Sequence, residues 1–107
     1  MAEIKTTKAV EDTLYVIGGK WKLLILHTLC SETKRFNEIC RDIEITPRML
    51  SREIKEMESN MLVERIVYNE RPPKVEYKIT EYGRSLEPLI AEMIKWGRNH
   101  RKQIMKK

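Results

Sequence analysis

The sequence predicts a mostly helical α+β domain: four helices, one β-hairpin and a closing helix. Three observations predict it. Apolar residues recur at three- and four-residue spacing through most of the chain, and Leu, Ile, Val and Phe make up 27 of its 107 residues, enough to build one core. Strict alternation occurs only where Val75, Tyr77 and Ile79 are interleaved with Glu76 and Lys78. No internal repeat, low-complexity segment or composition shift divides the 107 residues, so a single domain is expected.

Val10, Leu14 and Ile17 stand at i, i+4 and i+7 and predict a first helix over about residues 7–17, stopped by Gly18-Gly19. Trp21 to Leu29 is apolar almost all round, which predicts a buried central helix over about 20–31. A short helix over 35–42 places Phe36, Ile39 and Cys40 on one side. Ile45-Thr46-Pro47 is a sharp start signal, because Thr46 can cap free amides and Pro47 suits the first helical position. The helix it opens runs over 47–59. Residues 62–79 then form a hairpin, with Asn69 to Pro73 as a turn stiffened by two prolines. Thr80 can cap a last helix over 81–104, with a kink or restart expected near Pro88, which lacks an N–H.

At 100° per residue, the fourth helix has two distinct sides. Leu50, Ile54 and Met57 fall within about 60° of one another and form a core contact. Arg48, Arg52 and Lys55 occupy a similar arc on the opposite side, with Ser51 and Ser59 beside them. A short helix just ahead of such a helix makes a helix-turn-helix. The second helix of that motif enters the DNA major groove, with its early residues at the base edges. Thr46, Arg48, Ser51, Arg52 and Lys55 are therefore the candidate recognition residues. A hairpin lying alongside as a wing would bring Arg71 and Lys74 to flanking phosphates or the minor groove. Arg35 and Asn37, at the start of the third helix, are supporting candidates for the DNA backbone. The competing interpretation is a solvated helix face whose cations are balanced by Glu53, Glu56 and Glu58, with a polar turn at the hairpin tip. A winged-helix protein-interaction module would instead show exposed apolar residues on that face.

Net charge is +5, yet the six cations from Lys95 onward (Lys95, Arg98, Arg101, Lys102, Lys106, Lys107) meet no acid there. The first 94 residues hold 15 basic and 16 acidic residues. Nucleic-acid binding by the body must thus rest on local faces rather than on global charge.

Taken together, Ile17-Gly18-Gly19-Lys20-Trp21, Leu23-Leu24-Ile25-Leu26, Arg35-Phe36-Asn37-Glu38, Ile45-Thr46-Pro47-Arg48-Met49-Leu50, Leu62-Val63-Glu64-Arg65, Pro72-Pro73-Lys74-Val75-Glu76-Tyr77, Gly83-Arg84-Ser85-Leu86 and Trp96-Gly97 resemble the HxlR-type winged helix-turn-helix regulators of bacteria. The resemblance is ordered and spans nearly the whole chain. It implies a homodimeric regulator of transcription that binds double-stranded DNA at a palindromic operator, with the first and last helices as dimer interface. Val10 and Leu14 in the first helix and Leu89, Met93 and Trp96 in the last are the candidate interface residues, since the last helix's apolar stripe spans roughly 160°, more than one packing contact requires. Two departures stand out. The family's Cys-Pro-Val-Glu-like string reads Lys8-Ala9-Val10-Glu11 here; in some members that cysteine senses electrophiles or oxidants, chemistry that Lys8 lacks. Where the family tends to have glycine before the first strand of the hairpin, this chain has Met61, and Asn60 is expected to take the left-handed helix-ending conformation.

His27, Cys30 and Cys40 lack a convincing fourth ligand, so no metal is expected. A metal or thiol sensor on the same scaffold is the other alternative, its reactive thiol being Cys30 or Cys40 near Arg35 or Arg41. The two histidines, one in an apolar helix and one in a basic tail, have no nucleophile or phosphate-cradling loop beside them. Neither catalysis nor a cofactor is expected. The longest uncharged run is the nine residues Leu23 to Ser31, against the ~20 a membrane helix needs. With no secretory signal and no disulfide framework in view, a cytoplasmic location is expected.

Overall fold

The computed structural model describes residues 4–106. Its elements are α1 (Thr6–Ile17), α2 (Lys22–Ser31), α3 (Phe36–Ile43), α4 (Pro47–Ser59), β1 (Val63–Tyr68), β2 (Lys74–Ile79), α5 (Glu81–Arg84) and α6 (Glu87–Met105). Ile25, Leu26 and Leu29 of α2 form the centre of the core. Around them pack Ile39 of α3, Leu50, Ile54 and Met57 of α4, Tyr77 and Ile79 of β2, and Ile90 of α6. The core is therefore built from the inner faces of a helix-turn-helix and a hairpin, closed by one turn of α6. Helix α2 is central but not enclosed all round, as the expected buried helix would be. Leu24 and His27 face outward, while Lys22 is buried.

The connection from α3 to α4 is three residues long. Glu44 takes the left-handed conformation (φ 55°), and the Ile45 N–H reaches back to the Cys40 carbonyl at 3.2 Å, closing α3 in the manner of a Schellman turn. The same device ends α4. There the left-handed residue is Met61 (φ 62°), not Asn60, which stays at φ −90°. The hydrogen bonds explain the correction. Leu62 must enter the core, and its N–H bonds the Met57 carbonyl at 2.9 Å while that of Met61 bonds Glu58 at 3.0 Å. The reversal therefore falls on the residue immediately before Leu62. A methionine in that conformation costs about 1 kcal/mol or more.

The hairpin is antiparallel, running from Val63 opposite Ile79 to Tyr68 opposite Lys74. A contribution that the sequence pattern did not reveal comes from Lys34, which exchanges two backbone hydrogen bonds with Tyr77 (3.0 and 2.7 Å). This short bridge ties the entrance of α3 to the hairpin. Beyond it, the C-terminal helix, expected to kink or restart near Pro88, is divided at Ser85-Leu86, so that Pro88 falls in the first turn of α6, where a missing N–H costs nothing. Gly83 sets how closely α5 approaches the hairpin. A Cβ there would lie 2.3 Å from the Leu62 carbonyl oxygen, so only glycine lets α5 sit against the start of the hairpin.

Outside this body the chain spreads. The radius of gyration is 16.2 Å, against about 13 Å for a compact chain of this length. Of α1 only Ile17 is buried, and of α6 only Ile90.

Candidate nucleic-acid interface

Helix α4 is aimed by its two ends and its buried face. Thr46 Oγ1 accepts the Met49 N–H (3.2 Å), and Pro47 occupies the first turn. Leu50, Ile54 and Met57 lock the helix's rotation by entering the core. Arg48, Arg52 and Lys55 are consequently exposed and Ser51 half-exposed, all on the side away from α2. None of the three cations is in an ion pair among the described residues. Among the described residues the Arg52 guanidinium donates a hydrogen bond only to the Met49 sulfur, at 3.5 Å.

The acids of α4 explain why those cations are free. Lys22, with 11% of its side chain exposed, places Nζ 2.7 Å from Glu53 Oε2 and 2.8 Å from Glu56 Oε2. Burial works against its charge, but hydrogen bonds to Glu53 and Glu56 more than compensate and hold the ammonium above its usual pKa. The Glu56 carboxyl is in turn held below the usual carboxylate range, chiefly by hydrogen bonding to Lys22. Two of the three acids that would have balanced the cationic face therefore face α2 instead. A lysine inside an apolar run gave no sign of this, because its partners lie more than thirty residues away. The one available hint is that Glu53 and Glu56 stand one helical turn apart.

On the hairpin, Arg71 lies exposed in the turn, whereas Lys74 is the first residue of β2 and is half-buried. Lys74 Nζ lies 3.7 Å from Glu76 and 5.0 Å over the Tyr68 ring. Only Arg71 is at the tip. Arg35 and Asn37 are both exposed at the start of α3, which is closed by Glu38 accepting the Arg35 N–H at 2.8 Å. Together with Arg41, Pro73 and Lys74 they line one groove between α3 and the hairpin. The structure thus brings Arg35, Asn37 and Lys74 to one groove and gathers Thr46 to Lys55 at the cap and first turns of α4, while Arg71 lies in the hairpin turn and does not line that groove.

Val10, Leu14, Leu89 and Met93 line a single apolar groove between α1 and α6. Trp96, one turn further along, is 67% exposed and stacks on His100 with ring centroids 4.8 Å apart; it takes no part in the monomer core. Both cysteines are half-buried free thiols. Burial pushes the Cys40 thiol up, and burial together with Glu87 does the same to Cys30 against the pull of Arg84. Among the described residues no three His, Cys, Asp or Glu side chains gather as a metal site, and no helix is long and apolar enough to cross a membrane.

Residues 16–105 match the HxlR-like helix-turn-helix family. An HTH-type transcriptional regulator of Bacillus subtilis, YtcD, is 48% identical over 101 residues, covering 94% of this chain and 80% of that protein. A regulator of the same type from Methanothermobacter thermautotrophicus is 48% identical over 91 residues, covering 84% and 70%. Among solved structures, the crystal structure of YtcD superposes with a TM-score of 0.83 at 49% identity, over 87% of this chain and 96% of that one. The redox regulator HypR in its reduced form gives 0.85 at 45%, over 92% and 99%. With the short α3–α4 connection, the flanking hairpin and a match extending over most of its length, the chain belongs to the HxlR-like helix-turn-helix family of transcriptional regulators.

Proposed function

We propose that the protein is a sequence-specific, double-stranded-DNA-binding regulator that acts as a homodimer on a palindromic operator. Arg48, Ser51 and Arg52 read base edges in the major groove, with Lys55 and the capped start of α4 at Thr46 alongside. The observation that carries this reading is the outer face of α4, three exposed cations without ion-pair partners among the described residues on a helix two of whose acids, Glu53 and Glu56, are bound to Lys22. A solvated helix face would show those acids paired with the cations. Arg71 at the hairpin tip and the Arg35, Asn37 and Lys74 groove supply phosphate contacts on either side, which position a protein on DNA without reading sequence. Lys74 contributes less than Arg71, because Glu76 already offsets its charge.

A side chain bidentate to guanine provides ~1–3 kcal/mol of discrimination. Arg52→Ala should therefore relax preference at one or two positions of each half-site, and Arg48→Ala should relax a neighbouring one. Competition binding with duplexes varied at single positions measures this directly. Unchanged preference in both variants would remove α4 as the reading helix.

A further inference from the structure

Arg52 and Glu56 stand at i and i+4 on α4, the spacing at which opposite charges on a helix ordinarily pair. They are not paired. Glu56 Oε2 is 2.8 Å from Lys22 Nζ, and among the described residues the Arg52 guanidinium donates a hydrogen bond only to the Met49 sulfur. We propose that Lys22 is a specificity-positioning residue: by holding Glu56 on the α2 side of α4, it leaves the Arg52 guanidinium free for a base edge. Three features of the site support this assignment.

The first is burial. With 11% of its side chain exposed, Lys22 is too enclosed to touch DNA itself, so its influence must pass through the groups it binds. The second is the division between its two partners. Glu53 is nearly as enclosed as Lys22 (16% exposed) and anchors the ammonium at 2.7 Å, whereas Glu56 is 55% exposed and lies at the edge of the helix's outer face. Glu53 fixes the lysine; Glu56 is the acid that has somewhere else to go. The third is direction. At 100° per residue, Glu56 lies about 40° from Arg52 around the helix and about 60° from Glu53. It can therefore swing to either side, and Lys22 decides which. Freed, Glu56 would offer the guanidinium a carboxylate in place of a guanine edge and set a negative charge against the phosphates.

The inference rests on the proposed DNA binding, and the test separates the two. The probe is the duplex that the wild type enriches from a random library, set against the same duplex changed at the base pair where Arg52→Ala loses preference. Lys22→Met/Glu53→Gln removes the cation and the enclosed acid together, so no buried charge is stranded and only Glu56 is released. Its preference for the enriched duplex should fall about fivefold or more, the lower end of what one bidentate base contact discriminates. Adding Glu56→Gln to that variant should restore the ratio to within about twofold of wild type, whereas Glu56→Gln alone should change it by less than about twofold, since one contact is either free or occupied. Lys22→Arg, which keeps a cation beside both acids, should retain the wild-type ratio. Lys22→Gln/Glu53→Gln, whose amides can hydrogen-bond one another, supplies the same comparison if the methionine destabilises α2. A purely structural tie between α2 and α4 predicts that Glu56→Gln restores nothing, and that result overturns the proposal. So does full preference in the variants that release Glu56. A wild type without any sequence preference would instead defeat the DNA-binding reading, and this inference with it.

Discussion

The body of the protein and its two terminal helices treat apolar residues in opposite ways. Between α2 and β2, residues of helical or alternating period turn inward, and Ile25, Leu26, Ile39, Leu50 and Met57 are fully buried. On α1 and α6 the same kinds of residue, at equally regular spacing, remain in solvent: Val10 is 58% exposed, Leu14 61% and Met93 48%. Regular apolar spacing thus specifies a surface to be covered without specifying by what. In the body the cover is the chain itself. On the terminal helices a long groove stays open, and a second copy of the chain would fill it while leaving α4 and the hairpin free to face DNA. Reading and pairing are then properties of different parts of one small domain.

That division gives its largest expected effect when the groove is charged. Leu89→Glu/Met93→Glu should leave the body intact, because neither side chain belongs to the buried core, but should convert a dimer into a folded monomer in sedimentation. Two linked half-site contacts exceed one by roughly 10²–10⁴-fold in affinity, and the variant should lose affinity on that order while keeping its helical circular dichroism. A dimer that survived both charges would move the interface elsewhere.

The hairpin should matter less. Arg71→Ala/Lys74→Ala should weaken binding to all duplexes alike, and the slope of log K against log salt should flatten by ~0.9 for each phosphate no longer neutralised. With Lys74 already beside Glu76, most of the change should follow the Arg71 variant alone. A slope equal to that of wild type would place the tip in solvent.

The smallest effect is expected at the thiols. HypR is named a redox regulator, but here burial keeps Cys30 and Cys40 above the usual thiol pKa, hence protonated near neutral pH. Peroxide or quinone should leave DNA affinity nearly intact. Loss of binding that Cys30→Ser or Cys40→Ser abolished would make the protein a thiol sensor of its own design.

The fold class was legible because its signals are local. Thr46-Pro47 announces the start of α4, Val75, Tyr77 and Ile79 announce a strand, and the Leu50, Ile54, Met57 row orients the helix they lie on. The features that escaped depend on partners remote in sequence or on backbone hydrogen bonds. Lys22 gave no sign of its ion pairs because Glu53 and Glu56 are 31 and 34 positions away. The Lys34 bridge to Tyr77 involves only main-chain groups, which side-chain patterns do not report. The left-handed turn at Met61 defies residue preference, since the demand for it comes from Leu62 entering the core. Lys74 reads as a tip residue in the sequence; it forms the last rung of the ladder before the turn, opposite Tyr68, where half-burial and Glu76 engage it.

The central claim is that two copies of the α4 face, held by the terminal helices, read one operator. Selection from a library of random duplexes by the purified protein tests it most directly. The expected result is enrichment of an inverted repeat whose half-site centres lie one helical turn apart, ~34–36 Å, or a multiple of that, with the preferred base pairs lost in Arg52→Ala. No enrichment, or a lone half-site bound equally well by the Leu89→Glu/Met93→Glu variant, would contradict it.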